Sequence, residues 1–328
     1  ETVPANYFEL PLWLESDRMG FMLSGLTQEK LDNQKDVVMN ERRQNYENQP
    51  YGLAWEKLFS NLFSPDHPYS WPTIGWMENI AKFELDDVKN FFRTYYSPNN
   101  ASIVVGGNFD VWKMKDLIEK YFGGIQKSDS IPDIVAPKQS ILETKKIIME
   151  DYVQLPRIYL AWHTEKVFSK NDATIEILSD ILTSGKNARL QKSLVFEKQI
   201  VQDISSFQYS AKLDGSFIIV STAKPGVELE TIKNEIENEI RRLINDGITE
   251  DEMIRAKNSL KSSYIYSLQK LDLIVDHLNH YNFFLNEPNS FVFDLSRYED
   301  VTREQVIESA KKYLLNAHVE LNVIPKTK

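Results

Sequence analysis

No cysteine occurs in the 328 residues. That excludes disulfides, thiolate metal sites and a cysteine nucleophile, and it leaves the compartment open. Glycine and proline are scarce, at 12 and 13, and no low-complexity tract interrupts the chain, so fibrous and disordered classes are excluded. No apolar run approaches the ~18–20 residues of a membrane span. Positive charge is not in excess either. The 38 Lys and Arg stand against 48 Asp and Glu, a net charge of −10, and they are interspersed with the acids. Without a basic face, a nucleic-acid partner is not expected.

What is present is an ordinary globular profile, 42% hydrophobic and 26% charged. It is long enough for two domains of about 100–200 residues, each with its own core. The chain opens without Met on "ETVPANYFELPLWLESDRM". This reads as the end of a strand leading into an amphipathic helix (Phe8, Leu10, Leu12, Trp13, Met19). A domain entered in mid-element suggests processing or truncation.

The chain carries an internal repeat. "LDDVKNFFRTYYSPNNASIVV" (85–105) lies without gaps over "REQVIESAKKYLLNAHVELNV" (303–323), at an offset of 218. Val88 meets Val306, Tyr95 meets Tyr313, Ile103 meets Leu321 and Val105 meets Val323. Both copies read as a helix followed by an alternating strand. "GLTQEKL" (25–31) matches "GITEDEM" (247–253) at an offset of 222, and Thr249 with Glu252 forms a capping box. Two concordant offsets predict a duplicated α+β domain of roughly 220 residues. The second copy begins near "TKKIIMEDYVQLPRIYLAWH" (144–163), whose alternation predicts strands. The same offset places the start of the first copy about 75 residues before Glu1. "GGIQKSDSIPDIVAPKQS" (123–140) reads as the linker.

Within "KLDNQKDVVMNERRQNYENQPYG" (30–52), Glu41 poses a problem. At 100° per residue it points about 40° from Val37 and about 60° from Val38. It is therefore expected on the buried face of a helix, with Gln34 and Asn45 alongside. A buried carboxylate is costly unless it is paired or coordinates a metal. From the pattern alone, an ion pair with Arg42, Arg43 or another buried arginine is the readier explanation.

The stretches "KDVVMNERRQNYENQPYG", "HPYSWPTIG", "LDDVKNFFRTYYSPNNASIVVGGNFD", "LIEKYFGGI" and "GKNARLQKSLVFEKQIVQDIS" together resemble the pitrilysin/insulinase family of zinc metallopeptidases. The resemblance runs over essentially the whole chain. It implies an α+β fold of two homologous domains, each an antiparallel sheet with helices packed on one face, the first domain incomplete. Residues 1–130 would be the remainder of the metal-bearing domain, and residues 140–328 a second, non-metal domain.

Family members bind zinc through the two His of an HxxEH motif, whose Glu is the general base on zinc-bound water. A later Glu, in the stretch matching "VVMNERR", completes the ligand set. Carried over, that metal ligand is Glu41. Gln34 stands where many members carry a Glu that supports the metal ligands; an amide there implies hydrogen bonding without charge. No HxxEH occurs in this sequence; its expected place is about 35 residues upstream of Glu1. One carboxylate cannot hold catalytic zinc, which normally takes three protein ligands and an open position. The resemblance thus implies part of a zinc endopeptidase acting on peptides or unfolded segments, inactive alone and binding no zinc by itself.

Family halves that assist catalysis carry an Arg and a Tyr seven residues apart. Val195 and Gln202 occupy those positions here, so a second peptidase half is expected as partner, either as a continuation of the chain or as a separate subunit. The alternative is a non-catalytic scaffold or peptide-binding subunit of the same fold. The compartment is not fixed, although relatives include proteins of the bacterial periplasm.

Other signals have plainer readings. His277 and His280 form an HxxH without an identifiable third ligand and read as packing residues. His67, in "SPDHPYSWP", reads as turn chemistry. "VVGGNFD" lacks the phosphate-loop glycine pattern, and Asp110 reads as a helix N-cap.

Overall fold

The computed structural model describes residues 1–326. Helices come first: α1 (Glu9–Phe21), α2 (Gln28–Arg42), α3 (Ala54–Leu62), α4 (Met77–Lys82), α5 (Leu85–Tyr95) and α6 (Val111–Phe122). Then come β1 (Lys145–Asp151), β2 (Arg157–Thr164), α7 (Asp172–Thr183), β3 (Val201–Ser210) and β4 (Gly215–Ala223). The chain continues through α8 (Leu229–Asp246), α9 (Glu250–Ser267), α10 (Leu271–Leu285), α11 (Phe291–Glu299), α12 (Arg303–Ser309) and β5 (Val319–Pro325). Two compact units result. One comprises Glu1–Arg42, Ile74–Ile134 and Ile265–Ser290; the other comprises Arg43–Thr73, Val135–Tyr264 and Phe291–Lys328.

The local starts are those the sequence prescribes. Thr249 and Glu252 cap each other at α9, with Thr249 N–H donating to Glu252 Oε2 at 2.9 Å and Glu252 N–H to Thr249 Oγ1 at 3.2 Å. Asp110 accepts from Lys113 N–H at 2.8 Å and starts α6. Reciprocal capping boxes also open α5 (Glu84 with Asp87) and α12 (Thr302 with Gln305).

The second unit holds a five-stranded sheet in the order β1-β5-β2-β4-β3. It is mixed, not wholly antiparallel as expected. β5 inserts between β1 and β2, pairing antiparallel with β2 and parallel with β1. Two strands of opposite direction cannot both be antiparallel to the strand between them.

Helices cover both faces, which corrects the expectation of one. Ile158, Leu160, Trp162, Phe217 and Ile219 point to the face shared with α7 and α8. Tyr159, Ala161, Ile218, Val319, Leu321 and Val323 point to the other, where Ala54, Leu58 and Leu62 of α3 join the same core. The corner before α3 is tightly made. Tyr51 adopts φ 61°. It is held there by N–H donation to Asp151 at 2.7 Å, hydroxyl donation to Leu155 O at 2.7 Å and the Arg157 guanidinium 3.7 Å over its ring. A Cβ at Gly52 would lie 2.0 Å from Tyr46 O, so only glycine fits that position.

The first unit is helical. Residues 101–105, expected to form a strand, form none. Their alternation is that of a strand, but a ladder requires a neighbouring strand and none lies beside them among the described residues.

Candidate functional site

Thr27 opens α2, its hydroxyl accepting from Lys30 N–H at 3.3 Å. Leu31 and Arg42 are the helix's buried residues, with Lys35, Val38 and Met39 half-buried. Lys35 Nζ donates to Phe83 O at 3.0 Å. The Arg42 guanidinium donates to Gly75 O at 3.0 Å and lies 5.9 Å over the Trp76 ring. These contacts set the packed face.

Glu41 lies about 80° from Leu31 around the helix and Val37 about 120°. Both are exposed, Val37 by 47%, and so are Gln34 and Asn45. The face expected to be buried is therefore the exposed one. A helical wheel tells which residues share a face; Arg42, buried through its aliphatic stem and bonded to Gly75 O, decided which face turns inward.

Among the described residues, no group of three or more His, Cys, Asp or Glu is placed to hold a metal ion. The histidines have other work. His67 Nδ1 accepts from Tyr69 N–H at 3.0 Å, the turn role read from its sequence. His163 Nε2 donates to Leu62 O at 2.8 Å. Burial holds both rings below the usual histidine range. His277 Nε2 meets Ser267 Oγ at 2.9 Å, and His280 packs 4.6 Å from Phe284. His318 Nδ1 lies 3.3 Å from Asn316 O. Catalytic zinc does not fit the residues present: Glu41 is one carboxylate on an exposed helix face, and among the described residues no metal-ligating group is assembled around it. Val195 packs half-buried against the sheet core, and Gln202 is exposed on β3.

A buried acidic cluster in the second unit lies outside the motifs described above. Asp172 and Glu176 on α7 face Asp294, Arg297 and Tyr298 on α11. Arg297 bonds Asp294 Oδ1 at 2.6 Å and Asp172 Oδ2 at 3.2 Å, while the Tyr298 hydroxyl donates to Glu176 Oε2. Burial, and the neighbouring Asp172, push the Glu176 carboxyl up to about 7. Two acids four residues apart in the otherwise apolar "DATIEIL" were the available signal.

Residues 82–260, just over half the chain, match the family described as "Peptidase M16 inactive domain". The chain belongs to the M16 peptidase family. This establishes the pitrilysin-type resemblance read from the motifs, with the matched stretch of the inactive-domain type. Among M16 relatives, the zinc protease PqqE of Helicobacter pylori is 28% identical over 273 residues, covering 82% of this chain and 60% of that protein. The mitochondrial-processing peptidase subunit beta of Saccharomyces cerevisiae is 23% identical over 327 residues, covering 92% and 69%. The crystal structure of a protease from Helicobacter pylori superposes with a TM-score of 0.89 at 23% identity, over 98% of this chain and 78% of that one. The chain spans about three fifths of the length of several curated relatives that it matches. Among the described residues, no helix is long and apolar enough to cross a membrane.

Proposed function

We propose that this M16 chain is the larger part of one half of a zinc-dependent endopeptidase acting on peptides or unfolded segments, and that it is inactive alone. The observation that carries the reading is Glu41. It is a carboxylate presented on an exposed helix face beside Gln34, in a chain whose relatives include proteins named as zinc proteases. Glu41 is one zinc ligand; the other ligands and the general base come from residues outside these 328, because one carboxylate cannot hold the metal. Gln34, two turns earlier on the same exposed face, would supply hydrogen bonding rather than charge around the metal.

Residues 1–130 are the remainder of the metal-bearing domain and residues 140–328 its non-metal homologue. The capping boxes at Glu84/Asp87 and Thr302/Gln305 support this, since they stand 218 residues apart, the offset of the repeat. A second peptidase half supplies the substrate grip that Val195 and Gln202 do not.

One observation favours a second reading, a non-catalytic scaffold or peptide-binding subunit: the matched family type is the inactive domain, and no metal-ligating cluster occurs among the described residues. The two are separated by the protein extended upstream by about 75 residues, the length that the repeat predicts. Zinc content by mass spectrometry and cleavage of a quenched fluorescent peptide are measured with and without the candidate second half. Stoichiometric zinc, lost by at least about 10-fold in affinity in Glu41→Gln with most activity, is expected. Full zinc and full activity in Glu41→Gln would refute the ligand assignment, and an extended protein without zinc supports the scaffold.

A further inference from the structure

Strand β1, "KKIIMED" (145–151), is an edge of the second unit's sheet, with β5 as its neighbour. The ends of that parallel ladder fix which backbone groups face inward. Lys145 N–H donates to His318 O at 2.9 Å, and Lys326 N–H donates to Asp151 O at 2.8 Å. Odd-numbered residues of β1 therefore turn their N–H and C=O groups to β5, and Lys146, Ile148 and Glu150 turn theirs outward. Among the described residues, these three make no backbone–backbone bond outside the ladder. Their side chains share one face of the sheet. There Lys146 lies 2.9 Å from Glu230 and 3.2 Å from Glu320, while Ile148 is 64% exposed and Glu150 is exposed. On the opposite face, Ile147 and Met149 pack half-buried against the sheet core.

We infer that the outer edge of β1 pairs with β1 of a second copy of this chain, antiparallel and centred on Ile148. A two-fold axis through Ile148 would join the two five-stranded sheets into one. Open edges of this kind are templates for strand addition.

Two independent features select this occupant. The first is charge. Two lysines open the strand and two acids close it, so reversing a second copy sets Lys145 opposite Asp151 and Lys146 opposite Glu150. The same reversal sets Ile147 opposite Met149 and Ile148 opposite itself. A parallel copy in register would oppose like charges at all four ends, which is destabilising. Charges on an edge ordinarily keep strands apart; here their order is complementary to the same strand reversed.

The second feature is parity. In an antiparallel ladder, residues that exchange both hydrogen bonds must each face the partner strand. Centring on Ile148 opposes Lys146 with Glu150 and Ile148 with Ile148, which are the three residues whose backbone faces outward. A register shifted by one residue would oppose an outward-facing residue with one already bonded to β5. Charge pattern and hydrogen-bond phase thus agree on a single register. A seven-residue edge is small beside the ~1,200–2,000 Å² of a stable interface, so the dimer is a weak one. The pairing uses no residue of the zinc reading.

The absence of cysteine gives a direct test. In the proposed register, the Cα atoms of the two copies of residue 148 lie about 5.5 Å apart, within disulfide range. Those of residue 150 lie about 14 Å apart. Under glutathione redox buffer at about 100 μM protein, Ile148→Cys should form a covalent dimer at least about 10-fold faster than Glu150→Cys. In sedimentation runs from about 10 μM to 1 mM, the unaltered chain should gain mass with concentration. Glu150→Lys, which sets like charges opposite Lys146 at both ends, should weaken that association about 10-fold. A chain that stays monomeric at 1 mM overturns the proposal. Equal cross-linking at the two positions does so too, as does association indifferent to Glu150→Lys. Loss of the association in the protein extended upstream by about 75 residues also overturns it, because another segment of the polypeptide would then hold the edge. Zinc content and peptide cleavage enter none of these readouts, so failure here is distinct from failure of the peptidase reading.

Discussion

Replacing Glu176 by Gln should remove a specific part of the pH dependence of stability. Three carboxylates, Asp172, Glu176 and Asp294, face a single guanidinium, Arg297, which already bonds both aspartates. Glu176 has Tyr298 as its partner, and a neutral carboxyl keeps that bond by accepting the hydroxyl proton on its carbonyl oxygen. Burial with no cation of its own raises Glu176 from 4.5 to about 7. A group raised in the folded state contributes stability that is full below its unfolded value and is lost as pH rises through the folded one. The window is therefore about pH 4.5 to 7. At 1.36 kcal/mol per pH unit the loss across it is about 3 kcal/mol.

The amide of Glu176→Gln accepts the same bond from Tyr298 and does not ionise. The variant should match the parent near pH 4.5 and exceed it by up to about 3 kcal/mol above pH 7.5. Urea denaturation at half-unit pH steps, followed by circular dichroism, gives both curves, and their difference cancels the titration of other groups. Parallel curves across pH 4.5–7 would refute the reasoning. So would a variant destabilised at every pH, which would make the ionised carboxylate a net support of the α7–α11 contact.

Two further outcomes follow from the packing of the second unit. Leu58→Ala empties a fully buried site between α3 and the sheet and should cost about 2–5 kcal/mol, read as a lower urea midpoint with an unchanged slope. Arg189→Ala removes a guanidinium bonded to Glu252 at 2.6 and 2.8 Å and to Gly247 O at 2.7 Å. Against the upward push of burial, Arg189 and the Thr249 backbone hold Glu252 at about 2. That pair contributes stability above about pH 4.5 that is lost as pH falls through 2. The variant should lose about 3 kcal/mol at pH 7 and little at pH 2, checked by the same titration carried into acid.

The sequence by itself determined what depends on neighbours along the chain. Thr249 with Glu252, Asp110 and the His67 turn are hydrogen bonds over two or three residues, so residue type and spacing suffice to specify them. Strands β1 and β2 were legible from alternation, and family membership from motifs held in order.

The tertiary structure decided the rest. "VELNV" reads as a half-exposed strand, yet Glu320 is only 1% exposed and lies 3.2 Å from both Lys146 and Lys233; those partners come from β1 and α8, and alternation does not encode them. Glu41 shares a face with Gln34, as the helical period requires, but which face packs was settled by Arg42 reaching Gly75 and Trp76. The Glu176 cluster joins residues more than a hundred positions apart. Residues 101–105 have the pattern of a strand and lack its ladder, because a period of two is local while a strand exists only through hydrogen bonds to another.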